Sequence, residues 1–419
     1  MRRLFLSLFI VLIGSAASAT GPATSLRPPD RPVSVQNIAL EQDGSTAGLR
    51  AWIADFRPRA LEASISPAVF DRALRGVTYD ADVIRRDRNQ AEFTKTIWDY
   101  LDTAVSDLRI QNGRAALEKW NADLSRIERQ YGVEKEVIVA IWGLESAYGT
   151  FRGSDSVINS LATLAYDARR TAFFENELLQ ALRILQSGDT TLNRMNGSWA
   201  GAMGHTQFMP SSFQAHAVDD TGDGRRDIWG DDPRDALAST AAYLKHFGWT
   251  RGQPWGVEVR LPEGFDYLLA DRDVRKLPGE WAEMGVLDID GHTVPDHGLA
   301  SVLLPGGAEG AAFLIFDNFA VLETYNTADA YVIGVGHLSD RILGGQAIQA
   351  RWPRRLRAMT FEERVELQRR LTAAGFDTVK IDAKMGPLTI NAVRRFQQSQ
   401  GVLPDGYPSL MVLDRLRAL

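Results

Sequence analysis

The sequence predicts a mainly α (α+β) protein made of more than one folded unit. The chain has 419 residues, more than one domain usually holds, so two or three units are expected. Apolar residues recur three and four apart from Leu49 to about Tyr243, as in Ile97-Trp98-Leu101-Val105 and Leu178-Leu182-Leu185, which is helical spacing. Short strand-like runs follow among Gly and Pro turns, at Val257-Val259-Leu261 and Ala311 to Phe316, and supply the minor β structure.

In chain order, residues 1–19 read as a secretory signal peptide. Arg2 and Arg3 make a charged start, Leu4 to Ile13 an apolar run too short to span a bilayer, and Ala17-Ser18-Ala19 a cleavage site. Residues 20–47, with Pro22, Pro28, Pro29 and Pro32, read as a flexible lead-in. Residues 48–345 hold the helical pattern and the strands. Residues 346–359 read as a linker, because Arg351-Trp352-Pro353-Arg354-Arg355 joins a proline to a positive cluster poorly suited to a core. Residues 360–419 form a small helical unit with its own apolar set: Val365, Leu367, Leu371, Val393, Phe396, Leu410 and Leu413.

Composition narrows the function classes. Hydrophobic residues are 45% and charged residues 24%, ordinary globular values, and a net charge of -6 argues against nucleic acid as a partner. Cysteine is absent, so an exported form would rely on its core rather than on disulfides, and no lipid anchor is expected. The expected location is periplasmic.

Chemistry gathers around Glu145. Val137, Ile138, Ile141, Trp142 and Glu145 fall at spacings of three and four, so a carboxylate continues an apolar stripe. Burial disfavours the ionised form, and a carboxyl that keeps its proton at neutral pH can act as a general acid. A carboxylate paired with an arginine would show the same spacing. Gly149 is placed to end the helix.

Ala140-Ile-Trp-Gly-Leu-Glu-Ser-Ala-Tyr-Gly149 resembles the catalytic helix of lytic murein transglycosylases of the membrane-bound B type, here in soluble form. Gly201-Ala-Met-Gly-His-Thr-Gln-Phe-Met-Pro-Ser-Ser212 resembles their most distinctive motif. Trp281-Ala-Glu-Met-Gly-Val286, then Tyr325-Asn326 and Tyr331 ahead of Val335-Gly-His-Leu338, follow in the same order. The resemblance implies a lysozyme-like catalytic core and cleavage of the bond between N-acetylmuramic acid and N-acetylglucosamine. Glu145 would act as acid and then as base, leaving a 1,6-anhydro end, one of the substrate-assisted exceptions to two-carboxylate chemistry. Ser198, Met203, Gln207, Tyr243, Tyr325, Asn326 and Tyr331 are the implied substrate-binding residues. His205-Thr206 stands where the motif often carries an aromatic-glycine pair and reads as a variation of the cleft wall.

Asp219-Asp-Thr-Gly-Asp-Gly-Arg-Arg-Asp227 starts like an EF-hand loop, with oxygen-bearing residues at alternating positions and Gly224 at the sixth. A turn in which Asp side chains hold backbone amides fits the same residues. Some relatives bind calcium with a longer loop closed by a motif like Asp232-Pro-Arg-Asp235. That resemblance makes Asp219, Thr221, Asp223, Arg225 and Asp235 candidates for a structural Ca²⁺, although this chain has two extra residues before the closing aspartate. No cofactor is expected for the chemistry.

Leu367-Gln-Arg-Arg-Leu371, Gly375-Phe376, Asp382 to Gly386, Thr389, Ala392-Val393, Phe396-Gln397, Gly401 and Asp405-Gly406 resemble the small three-helix peptidoglycan-binding module. Peptidoglycan glycan strands are the implied partner, and other cell-wall enzymes a further partner class. Two rivals accompany the expected lyase: a hydrolytic muramidase using the same site, and a wall-binding protein without activity.

Overall fold

A computed structural model describes residues 44–88, 95–167 and 169–419. The expected signal peptide, and the lead-in up to residue 43, lie outside the described residues.

The helical body begins with Thr46–Glu62, capped by Ser45, whose hydroxyl accepts from the Gly48 amide. Ser66, Thr96 and Ser156 cap later helices in the same way, so short polar residues ahead of apolar runs set the helix starts. Helix Lys135–Ser146 runs through the centre and packs on helix Asp329–Ile342. Val137 to Gly143 are all buried, so this helix is covered on every side rather than along the single stripe that the spacing suggested.

Strands β1 (Asp155–Ser156) and β2 (Asn196–Gly197) form a small antiparallel pair. Strands β3 (Gly256–Arg260), β4 (Leu287–Asp288), β5 (Ser301–Leu303) and β6 (Ala312–Ile315) make an antiparallel sheet in the order β4-β3-β6-β5. The register pairs Val257 with Leu314 and Val302 with Leu314. Alternation along the strands divides the side chains: Phe313 and Ile315 join the large helical core, whereas Ala312 and Leu314 face a second core with Trp281 and Val286.

A third core belongs to helices Phe361–Ala373, Pro387–Ser399 and Leu410–Arg417. Thr360 and Glu363 form a capping box at its start. Two buried glutamines shape its loops. Gln368 accepts from the amides of Asp382 and Ala383, and Gln397 accepts from the Gly406 amide and donates to Asp405. The segment leading into this module is pinned down. Trp352 lies 6.2 Å from Trp98, Arg354 pairs with Asp102, and Arg355 pairs with Glu309.

Candidate active site

Glu145 sits one residue before the end of helix Lys135–Ser146 and is half-buried. The helix stops two residues sooner than Gly149 suggested, because Ala147, Tyr148 and Gly149 all take left-handed backbone, with φ of 49°, 59° and 83°. Such a run is costly for residues bearing a Cβ, so the surroundings must hold it. The Ser146 hydroxyl donates to the His205 carbonyl at 2.5 Å and accepts from the Gly149 amide at 2.9 Å. Trp142 Nε1 donates to His205 Nδ1 at 3.1 Å, which leaves the ring's proton on Nε2 to donate to the Gly230 carbonyl at 2.7 Å. His205 is 3% exposed, and burial pushes its pKa down, so the ring is a neutral brace behind the turn rather than part of a cleft wall.

The tyrosines come from helices distant in sequence. The Tyr331 hydroxyl donates to Glu145 Oε1 at 2.6 Å. Tyr325 lies parallel to Tyr331 at 6.5 Å, and its hydroxyl donates to the Thr206 carbonyl at 2.6 Å. Tyr243 meets Tyr325 edge-on at 5.0 Å and donates to the Thr324 carbonyl, with Phe208 against both rings. Burial, and next the negative charge of Glu145, raise Tyr325 and Tyr331 well above the usual phenol range, so both stay neutral donors. The structure therefore gathers Tyr243, Tyr325 and Tyr331 into one aromatic row ending at Glu145.

The remaining candidates occupy the neighbouring turn. Met203 pairs with both Gly197 and Phe208 through isolated bridges and is fully buried, so its side chain packs beneath the surface rather than on it. Gln207 adopts φ 52°, and its amide donates to the carbonyls of Gly204 and Arg152. The Ser198 hydroxyl accepts from the Ala202 amide at 3.1 Å. Asn326 ends helix Asp317–Tyr325, where its side chain accepts from the Ala328 amide. Sequence reasoning passed over Tyr148, whose hydroxyl donates to the Arg109 carbonyl at 2.7 Å. A signal existed in Gly143, a helix-interior glycine whose added Cβ would lie 2.6 Å from the Tyr148 ring.

The acidic loop is closed by its own amides. Asp219 accepts from the amides of Gly222, Asp223 and Gly224 and from the Thr221 hydroxyl. Asp235 accepts from Asp220 and Thr221 on one oxygen and from Asp227 on the other, and Asp223 accepts from the Arg225 amide. No group of three or more His, Asp or Glu among the described residues is placed to hold a metal ion. The aspartate expected to close a coordination shell is turned onto backbone amides.

Residues 48–340 match the family described as the Transglycosylase SLT domain, and residues 361–416 match the peptidoglycan binding domain family. The chain is 48% identical to SltB3 from Pseudomonas aeruginosa, solved in complex with NAG-anhNAM-pentapeptide; the match covers 88% of this chain and 99% of that one, with a TM-score of 0.85. It is 38% identical over 252 residues to membrane-bound lytic murein transglycosylase B of Escherichia coli (strain K12), across 58% of this chain and 66% of that relative, just under two thirds of its length. The E. coli lytic transglycosylase Slt35 in complex with calcium is 26% identical, covers 73% of this chain and 97% of its own, and has a TM-score of 0.61.

Proposed function

This chain belongs to the Transglycosylase SLT domain family, that of the membrane-bound lytic murein transglycosylases B, and on that premise we propose that Glu145 both gives and takes the proton when it cuts a glycan strand. The protein is a lytic transglycosylase acting on peptidoglycan. Glu145 protonates the oxygen between N-acetylmuramic acid and N-acetylglucosamine, and that C–O bond breaks with its electron pair staying on the leaving oxygen. The acetamido oxygen of the muramic acid steadies the cation at C1. The ionised Glu145 then takes the proton from the C6 hydroxyl, whose oxygen attacks C1 and closes the 1,6-anhydro ring. Water is not consumed, because a hydroxyl already tied to the ring outcompetes it through effective concentration.

The observation that supports this reading is the Tyr331–Glu145 hydrogen bond at 2.6 Å, at the end of an otherwise buried helix. It fixes the carboxyl's rotation before substrate arrives, and the braced turn after Ser146 fixes its position. Ser198, Gln207 and Asn326 border the same region and serve as sugar contacts, while Met203 supports the turn from below. Residues 361–416 hold the enzyme on the wall and raise the local concentration of strands. Export to the periplasm accords with the signal-like residues 1–19, and no described helix is long and apolar enough to cross a membrane. The loop at Asp219 is read as a metal-free brace.

Glu145→Gln tests the assignment. Cleavage of isolated sacculi should fall by about 10²-fold or more, as for loss of a general acid, while sedimentation with sacculi is retained. Products of the unaltered enzyme should be lighter by one water than hydrolysed ends. Normal digestion by Glu145→Gln removes this residue from the chemistry, and hydrated ends would convert the lyase into a hydrolase.

A further inference from the structure

Glu145 follows Trp142 by one turn of helix Lys135–Ser146 and precedes Ser146. Both neighbours are tied to His205: its ring accepts from the Trp142 indole, and its backbone carbonyl accepts from the Ser146 hydroxyl. His205 is fastened in turn to the segment 227–231. Its amide donates to the Ile228 carbonyl at 3.1 Å, and its Nε2 reaches the Gly230 carbonyl. Gly204 lets the two segments close, since an added Cβ would lie 2.3 Å from the Ile228 oxygen. The end of the helix that carries Glu145 is thereby joined to the acidic loop through one residue.

That loop segment is itself fixed. Asp227 accepts from the amides of Trp229 and Gly230 through one oxygen and from Arg194 through the other. Arg152, just past the left-handed turn, donates from Nη1 to the same Gly230 carbonyl at 2.5 Å and pairs through Nη2 with Asp231. Its Nη1 lies 3.2 Å from His205 Nε2. Both nitrogens carry hydrogen, so they do not bond each other but share the Gly230 oxygen.

This arrangement suits one protonation state of the ring. An indole N–H can only donate, so Nδ1 must be free of hydrogen and the neutral ring keeps its proton on Nε2. A second proton, on Nδ1, would face the Trp142 donor, push the indole off and set a positive ring beside the Arg152 guanidinium. Burial opposes that proton most and Arg152 adds to it, against the carboxylates of Asp227, Asp231 and Asp232.

We propose that His205, with its proton on Nε2, is a positioning residue for Glu145, and that Arg152 keeps the ring in that form. The proposal rests on the reading of Glu145 as acid and base. Removing or protonating the ring frees the end of the helix, so Glu145 loses its alignment with the glycosidic oxygen. The sugar contacts on other elements still bind. A misplaced acid slows the chemical step more than it weakens binding.

Steady-state kinetics on soluble glycan, together with the indole N–H resonance of Trp142 in NMR spectra of the full chain, test this. His205→Phe keeps a ring that can neither accept nor donate, and its kcat should fall about tenfold or more with KM little changed. His205→Gln offers an acceptor and a donor on one planar group and should recover part of that loss, which a mere filler of space would not do. The Trp142 resonance, assigned by its absence in Trp142→Phe, should titrate with a midpoint below 6.5 in the unaltered chain. It should stop titrating in His205→Gln and titrate at higher pH in Arg152→Gln. The resonance needs no turnover, so it serves if His205→Phe does not fold. Its failure is also separate from failure of the Glu145 reading, which Glu145→Gln reports. An unchanged kcat or a loss confined to KM in His205→Phe, equal losses in the Phe and Gln variants, or a midpoint that Arg152→Gln leaves in place would each overturn the assignment.

Discussion

Tyr331 spends its only proton on Glu145, and this bond makes the carboxyl a placed group rather than a rotating one. Tyr331→Phe keeps the ring in the aromatic row and removes the donor. Its kcat on soluble glycan should drop about tenfold with little change in KM, as expected for a charge-assisted bond that acts on the reacting group. His337 carries a second residue-scale consequence. Its pKa is depressed to about 4, so between pH 6.5 and 4 the unfolded chain binds the extra proton and stability is lost as pH falls, by up to roughly 3 kcal/mol at about 1.4 kcal/mol per unit. Asp340 has the opposite sign: raised to about 6, its carboxyl favours folding below pH 3.8, and that share is lost as pH rises through 6. The two slopes oppose each other across the shared window. Urea midpoints at stepped pH should therefore fall more steeply between pH 6 and 4 in Asp340→Asn than in the unaltered chain, and less steeply in His337→Phe.

The turn after helix Lys135–Ser146 shows what sequence can and cannot reveal about an element. Helix Lys135–Ser146 was legible because its apolar spacing and its motif are both local, and the strands at 256–260 and 312–315 because they are short runs, alternating in the first and wholly apolar in the second, set between turn residues. The brace was not legible. It depends on His205, some sixty positions from Trp142, and a histidine in a motif does not announce that its ring nitrogens are taken by an indole and a carbonyl. Met203 carried the same ambiguity, since a residue inside a cleft motif can face the core as readily as the cleft. Two expectations follow for these elements. Gly149→Ala meets both φ 83° and the His205 ring, 2.5 Å from the added Cβ, so it should cost about 1–3 kcal/mol and lower the thermal midpoint by several degrees. The acidic loop already satisfies Asp219 and Asp235 through its own amides, so adding calcium or EGTA should leave the midpoint unchanged in calorimetry. A rise with calcium would show that the loop reopens around the ion.

At the scale of the molecule, the wall-binding module rests on the turn Gly307–Glu309. Asp405 accepts from the Ala308 amide at 3.0 Å, and a Cβ on Gly307 would lie 2.6 Å from the Asp405 carboxylate. Gly307→Val should therefore prise the module away. The readout is limited trypsin digestion, in which cuts at Arg351 to Arg357 should appear sooner than in the unaltered chain while cleavage of soluble glycan persists. The positive cluster there reads as a linker, and nothing local reveals that Trp352 meets Trp98 or that Arg354 and Arg355 meet Asp102 and Glu309. Tacked down at these points, the strap has no slack to pay out. Body and module are thereby joined into one continuous block, with the indole of Trp352 as its rivet.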